Sequence, residues 1–210
     1  MGNSISYLVR STNAWLHAPA TLRGGYVLAW GMAFGFQVWQ SFIGGVVAFK
    51  TLPRQTFGLL QSKTFPVYFL ANTLLTTALL TLDVKLRPDL IKNFKALPVA
   101  TLVALNTGHF WRSTAGLGVV ALGLNLVNGV WIAPRTTEVM FERHRLERLE
   151  GRVSDKHPSG EMKYLNKQFQ TLHSISSVLN MGALAATGLI GWKIGTKGLG
   201  PKVSGGLGVM

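Results

Sequence analysis

GGYVLAWGMAFGFQVWQSFIGGVVAF (residues 24–49), KTLPRQTFGLLQSK (50–63) and TFPVYFLANTLLTTALLTL (64–82) are the consecutive pieces that decide the fold of this chain. The outer two contain no charged residue. Each is close to the ~20 helical residues that cross the ~30 Å hydrocarbon core of a bilayer. The piece between them is basic. We therefore predict a transmembrane hairpin with spans at about 25–49 and 65–82, joined by a short basic loop.

The same arrangement recurs later in the chain, in two further uncharged runs at about 113–133 and 170–192. After the first of these runs, the sequence Pro-Arg-Thr-Thr at 134–137 is typical of a helix start. The charged sequence that follows predicts a helix at about 135–151. The chain is thus predicted to be an all-α integral membrane protein. We expect four transmembrane helices in a bundle, interfacial segments and one charged extramembrane helix.

The predicted organisation has three parts. Residues 1–23 form a basic N-terminal tail or interfacial segment, 24–194 the four-span membrane domain, and 195–210 a flexible tail rich in Gly and Lys. Within the membrane domain, residues 83–95 carry mixed charge and are expected on the membrane surface. Residues 96–111 are uncharged but interrupted by proline and glycine. For them an interfacial, a re-entrant and a spanning placement all stay open.

Composition supports a membrane protein and indicates its partners. Charged residues make up 14% of the chain, against ~25% in soluble domains, while 48% are hydrophobic. The net charge is +13, and the Lys and Arg lie beside the apolar runs, where they suit lipid headgroups. We therefore predict contacts with the bilayer and its anionic headgroups, and no nucleic-acid partner. Candidates for contacts with headgroups or with a protein partner are Arg54, Lys63 and Arg135; a homo-oligomer is also open.

Orientation and organelle stay open at this stage. The two sides of a four-span model hold 10 and 11 Lys and Arg, so the positive-inside rule does not decide. The N-terminal MGNSIS matches the myristoylation pattern, with Gly2 as the acceptor. The acid-free start also resembles a weak mitochondrial address. Endomembranes or the plasma membrane are favoured, and a mitochondrial membrane is the alternative.

The sequence gives no positive indication of catalysis. No hydrolase, kinase, nucleotide-binding or zinc pattern occurs, and the five His residues are dispersed without an i,i+4 pair. No carboxylate lies inside a clear span, which removes the usual proton-relay acid. We therefore predict no metal, no cofactor and no enzymatic activity. Cysteine is absent, so disulfides are excluded.

Polar side chains inside the uncharged runs are the strongest candidates for a functional site. Because polar side chains avoid lipid, those that share a helix face should point into the bundle. From the helical rise per residue, they lie at mid-depth or in the half nearer the first and third loops. They either form interhelical hydrogen bonds or line a polar cavity open on that side. The predicted cluster consists of Gln37, Gln40, Asn72, Asn125, Asn128, His173 and Asn180.

Small residues in the first span predict close helix packing. Gly31 and Gly35 form a GxxxG pair, and Gly44 with Ala48 repeats the small-xxx-small spacing. Such pairs let the backbone of another helix approach closely. Another helix can therefore approach closely at these pairs.

Short motifs spread over residues 25–192 carry a family resemblance. They are Trp30-Gly31-Met32 with Trp39; Leu52-Pro53-Arg54, Thr56-Phe57-Gly58-Leu59, Gln61-Ser62-Lys63 and Phe65-Pro66 with Tyr68-Phe69; Asn128 with Trp131, Pro134-Arg135-Thr136-Thr137 and Met140; and His173, Ser176-Ser177 and Asn180. With these motifs the chain resembles the transmembrane protein 205 family, a eukaryotic group built on a domain of unknown function. It departs from the family's human-like members at Gln55, where they have His, and in a longer stretch between the second and third spans. The Phe-Glu-Arg-His run at 141–144 is similar to fungal members.

The resemblance implies a four-span helical membrane protein. Members have been linked to platinum-drug resistance and vesicular export, without an established biochemical activity. The resemblance therefore implies no catalytic residue.

Two functions from different classes are compatible with the sequence. The first is a non-enzymatic protein that acts in membrane trafficking or by interaction within the membrane. The alternative is a small transporter or channel with a polar intramembrane cavity. A membrane-embedded enzyme acting on lipid is a third class, disfavoured because acids and nucleophile–base pairs are missing from the spans.

Overall fold

The computed structural model describes residues 19–87, 112–151 and 158–199. This part of the chain consists of four long helices, and it contains no β-strand. Each helix is long and apolar enough to cross a membrane. The prediction of an all-α, four-span membrane bundle is therefore confirmed. The helices are α1 (Ala20–Thr51), α2 (Arg54–Leu86), α3 (Thr114–Leu149) and α4 (Gly160–Lys197).

The four helices pack in an antiparallel, up-down order. Each helix contacts the next along the chain, and α4 closes the bundle by packing on α1. A small core of Tyr26, Ala33, Leu79 and Ile190 fills one half of the bundle. The outer surface is apolar as well, with Val67 and Val178 about 70% exposed. An apolar exterior is stable in lipid, so the chain is an integral, multi-pass membrane protein.

The two small-residue pairs predicted for close packing are not where neighbouring helices approach. No described atom comes within 4 Å of a Cβ placed at Gly31 or Gly35, so no helix packs closely on that pair within the described residues. The face of α1 that packs inward instead carries Ala33 and Gln37, both fully buried. The amide of Gln37 must be buried away from lipid, and this requirement determines which face of α1 points inward. The GxxxG pair therefore faces outward.

The second pair is displaced by a change in helix geometry. Residues Trp39–Gly44 form a π-helical turn inside α1. A π turn holds one more residue than an α turn, so it rotates the inward face of the following residues. Beyond the turn, Gly45, Val46 and Phe49 line the space between the helices, whereas Gly44 and Ala48 do not.

The predicted basic loop at 50–63 is wrong, because α2 already begins at Arg54. Only Leu52 and Pro53 separate α1 from α2, and both have extended ψ angles near 145°. The Pro53 carbonyl accepts from Phe57 N over 2.8 Å and starts the new helix. Its 33 residues span about 50 Å, so its charged first turns extend beyond the ~30 Å hydrocarbon core.

The predicted charged helix is present as Ala133–Leu149, with Pro134 in its first turn, but it continues the third span, so that α3 runs from Thr114 to Leu149. A second π-helical turn, Asn128–Ile132, immediately precedes this proline. In a regular α-helix the proline ring would collide with the carbonyl four residues before it, and the wider turn relieves this clash. The predicted charged extramembrane helix is therefore the continuation of the third span.

Three helices continue past the membrane at the same end of the bundle. These extensions are residues 54–63 of α2, 134–149 of α3 and 160–169 of α4, and we call them together the extramembrane extension. They are joined across helices by an ion pair between Arg54 and Glu147 and by a hydrogen bond from Arg143 to Asn166. The bundle is thus prolonged as a packed unit on this side.

Some predictions fall outside the described residues. These are the proposed acyl site at Gly2 with the rest of 1–18, the stretch 96–111 and the tail beyond residue 199. Residues 20–23, predicted as the end of the tail or interfacial segment, already belong to α1.

Candidate functional site

A polar layer lies near the middle of the bundle. Gln37 of α1 is fully buried, and its Nε2 donates to Asn72 Oδ1 of α2 over 3.1 Å and to Thr187 Oγ1 of α4 over 3.3 Å. The Asn72 amide in turn donates to the Tyr68 carbonyl within its own helix. Three helices are therefore tied together at one depth by side-chain amides and a hydroxyl.

A second polar layer lies closer to the extramembrane extension. Tyr68 Oη donates to Asn180 Oδ1 over 2.6 Å, and Asn180 Nδ2 donates to Ser41 Oγ over 2.8 Å. Beside them, Gln40 Nε2 donates to Gln61 Oε1 over 3.3 Å. These bonds link α1, α2 and α4.

The third helix joins the network through Asn128. Its Nδ2 donates to the Ser176 carbonyl, and the Ser176 hydroxyl returns a bond to Asn128 Oδ1, both over 2.8 Å. Asn125, one turn away, is 1% exposed, and neither of its amide atoms has a hydrogen-bond partner among the described residues.

Above the second polar layer, a cavity of about 740 Å³ opens between all four helices. It is lined by residues within 40–49 of α1, 54–69 of α2, 133–144 of α3 and 169–181 of α4. Asn180 is at its floor and Phe169 near its mouth, which makes it about 16 Å deep from the helical rise. Much of the apolar part of its wall consists of phenylalanine rings, those of Phe42, Phe49, Phe57, Phe65, Phe69 and Phe169.

The cavity is open laterally as well as at the extension. Phe42 and Val46 of α1 and Ser177 of α4 line it and are exposed, Phe42 by 55% and Val46 by 42%. An exposed lining on two facing helices makes an opening between α1 and α4. Since these residues lie within the membrane spans, that opening faces lipid.

The mouth of the cavity carries positive charge. Arg54, Arg143 and His144 line it, together with His173, whose ring stacks on Phe169 with centroids 5.7 Å apart. No Asp or Glu is among the described lining residues. Behind the mouth, Glu147 is 3% exposed, and its Oε1 lies 2.8 Å from Nη1 of Arg54.

Close packing positions the groups at the mouth. His144 and Met140 of α3 press against Gly58 of α2, where an added Cβ would meet His144 Cε1 at 2.6 Å. The bare backbone at Gly58 is what lets the two helices approach here. The guanidinium of Arg143 lies over the Phe169 ring, 4.5 Å from its centroid.

The structure brings together part of the predicted polar cluster at the cavity. Gln40, His173 and Asn180 line it. The other members, Gln37, Asn72, Asn125 and Asn128, are buried deeper and are absent from the lining.

Of the three predicted cationic contacts, only Arg54 lies at the cavity. Lys63 is exposed on α2 and is not part of the lining. Arg135 lies in a separate open groove of about 790 Å³ on the outside of α3 and α4, with Trp131, Tyr164 and Lys167.

Arg143, His144 and Glu147 are not among the predicted site residues, because the sequence predicts that the charged helix is a separate element outside the membrane. One feature of the sequence indicates their position. Met140 and Arg143 are three residues apart, so they lie on one helix face, and this face continues the inward face of the third span.

A buried acid at the other end of the bundle was also missed. Asp83 was expected on the membrane surface, but it is 4% exposed. Its carboxylate accepts from Arg87 one turn on and from the Thr114 hydroxyl at the start of α3. Asp83 is therefore packed between helices near the end of α2, and residues 88–95 lie outside the described part.

More than half of the chain is similar to a known protein family. Residues 28–145 match the model of a family described as a domain of unknown function, DUF4149. The chain belongs to this family. The matched region runs from the first span into the extension of α3, so it contains three of the four helices that line the cavity.

A relative within curated proteins is Transmembrane protein 205 of Danio rerio, which is 50% identical over 44 residues. The matched segment covers 21% of this chain and only 23% of that relative. No solved structure matches the chain. The family resemblance expected from the sequence motifs is confirmed, and the family description supplies no activity.

Proposed function

We propose that this protein binds a small amphiphilic molecule inside the membrane and acts as a receptor or carrier for it. The observation that carries the proposal is the cavity of about 740 Å³ between the four helices. Its volume is within the ~300–1,000 Å³ usual for ligand pockets. This favours the transporter alternative over the trafficking or interaction function, which stays a prediction.

The chemistry of the lining fits an amphiphile. Phenylalanine rings supply much of the apolar wall, and cationic and imidazole side chains are at the mouth. The polar side chains of the floor are hydrogen-bonded to one another, as in the pair of Gln40 and Gln61. The floor therefore demands no hydrogen bonds from a ligand, and an apolar tail can lie against it.

The lateral opening supports entry from the bilayer. Phe42 and Val46 are exposed where the cavity meets lipid, so a molecule dissolved in one leaflet reaches the interior without crossing water. A carrier needs such a path, whereas a purely structural bundle does not. Opening at the extramembrane extension gives the second exit that transport requires.

A cavity-filling variant tests the proposal. The protein is purified in a mild detergent, and its binding of single-chain amphiphiles is measured by native mass spectrometry and by the shift in thermal unfolding. Ser177→Trp places an indole in the cavity and should lower affinity at least tenfold. Val178→Trp is the matched control, because this neighbour is 70% exposed and absent from the lining.

The outcomes separate the proposal from a structural bundle. Binding that Ser177→Trp abolishes and Val178→Trp preserves supports an interior site. If no amphiphile binds, or if both variants behave alike, the proposed function is wrong. Flux of the bound molecule through proteoliposomes then distinguishes a carrier from a receptor.

A further inference from the structure

We infer that the ligand of the cavity is a single-chain amphiphile with an anionic headgroup, a carboxylate or a phosphate monoester, and that Arg143 binds this headgroup. The inference rests on the proposed function, and it specifies the charge of the ligand and the residue that recognises it. Its basis is the charge distribution at the mouth of the cavity.

Arg143 is held in place by groups that do not neutralise it. Its Nε donates to Asn166 Oδ1 over 2.8 Å, and its guanidinium lies over the ring of Phe169. Both contacts fix the orientation of the planar group without forming an ion pair, and the nearby Glu147 carboxylate acts on its charge only through space. Within the described residues no carboxylate lies within ion-pair distance of Arg143.

The neighbouring cation, Arg54, differs from Arg143 because it already has a carboxylate partner. Arg54 forms an ion pair with Glu147, and Gln55 Nε2 also donates to this carboxylate over 3.4 Å. The charges of Arg54 and Glu147 therefore cancel locally. Arg54, Glu147 and Arg143 together leave one net positive charge at the mouth, and the guanidinium of Arg143, which has no ion pair among the described residues, can bind a carboxylate or phosphate in bidentate geometry.

The charged end and the apolar part of the cavity are arranged along the membrane normal in the same order as the headgroup and the tail of an amphiphile in one leaflet. Arg143 lies in the extramembrane extension, where a headgroup resides, and the rings of Phe42 and Phe65 line the part within the membrane spans. A depth of about 16 Å, from the helical rise, accommodates an extended tail that points toward the bilayer centre. A headgroup of opposite orientation would meet the floor, where Gln40, Gln61 and Asn180 are already hydrogen-bonded and no cationic side chain is present among the described residues.

Three probes with the same oleoyl chain test the charge requirement. Oleate carries a carboxylate, oleoyl lysophosphatidate a phosphate monoester, and monoolein no charge. We expect at least one anionic probe to bind the wild-type protein at least tenfold more tightly than monoolein. The preferred anion tells which of the two headgroups the site takes.

Variants at the mouth test the assigned residue. Arg143→Gln should lower affinity for the anionic probe at least tenfold and leave monoolein unchanged, whereas Arg143→Lys should retain part of the anion preference. Arg145→Gln is the matched control, because this arginine is exposed on the same helix and absent from the lining. Glu147→Gln frees Arg54 from its partner and should raise anion affinity several-fold, a gain that misfolding does not mimic.

The results distinguish this inference from the function on which it rests. If monoolein binds as tightly as both anions, or if Arg143→Gln leaves anion binding intact, the inference is wrong and the cavity still binds amphiphiles. If none of the three probes binds, the proposed function fails with it. Should Arg143→Gln not fold, the gain in Glu147→Gln and a salt-dependent loss of wild-type anion binding decide the question.

Discussion

The indole of Trp30 in α1 lies directly against the backbone of Gly191 in α4. A Cβ atom placed on Gly191 would be 2.1 Å from Cζ2 of this ring, and the ring is fixed because its Nε1 donates to the Thr187 carbonyl over 2.9 Å. The contact closes the bundle between its first and last helices at the end away from the cavity.

Gly191→Ala should therefore destabilise the protein by about 1–3 kcal/mol, as overpacking does when a rigid ring cannot move aside. Gly31→Ala is the matched control, since it has open space around it and should be neutral or stabilising by up to ~1 kcal/mol. Both are measured as free energies of unfolding in detergent. Equal effects of the two substitutions would show that the helix contact is not made as described.

Gln37→Leu should lower the free energy of unfolding by about 1 kcal/mol. It removes two interhelical hydrogen bonds, which average ~0.6 kcal/mol each inside membranes, and leaves Asn72 Oδ1 without its interhelical donor. Gln170→Leu, on the exposed surface of α4, is the control and should change stability little. A stabilised Gln37→Leu variant would contradict the described network.

The ion pair of the extramembrane extension should show coupling between Arg54 and Glu147. Arg54→Ala leaves the buried Glu147 carboxylate without its cation and should destabilise by about 1–2 kcal/mol, reduced from fully buried pairs because Arg54 is 41% exposed. Combining it with Glu147→Gln should recover most of that loss. A double-mutant cycle of unfolding free energies measures the coupling, and additive effects would rule it out.

The buried acid at the opposite end gives a fourth prediction. Asp83→Asn weakens the bonds from Arg87 and Thr114 and should destabilise by about 1–2 kcal/mol. Glu138→Gln, an exposed acid in the outer groove, should stay within ~0.5 kcal/mol of wild type. Thermal unfolding of both variants at equal detergent concentration makes the comparison.

Hydropathy and polar spacing were sufficient to predict the bundle and its inward faces. Gln37, Asn125 and Asn128 are buried as expected, because lipid excludes amides as strongly as water excludes apolar groups. The same rule explains why the GxxxG pair failed as a packing signal. Small residues permit a close approach but do not drive it, and Gln37 determined which face turned inward.

The residues at the mouth of the cavity were harder to predict, because they are far apart in the sequence and because they lie where helices continue beyond the membrane spans. Arg54 and Glu147 are 93 positions apart in the chain, and no local pattern joins them. Both also lie in helix extensions, which their charged residues and, in α3, Pro134 separate from the predicted spans. Whether a helix continues past Pro134 depends on the π turn before it, and that turn has no residue signature in the sequence.

The two π turns have a consequence for how this chain can be compared with other helical bundles. Each holds one surplus residue, so removing one residue from Trp39–Gly44 would rotate everything beyond it by about 100° and carry Gly45 and Phe49 off the cavity wall. An alignment with a helix that lacks the turn needs a single-position gap there. Substitutions before that gap then act on helix packing, and substitutions after it act on the wall of the cavity.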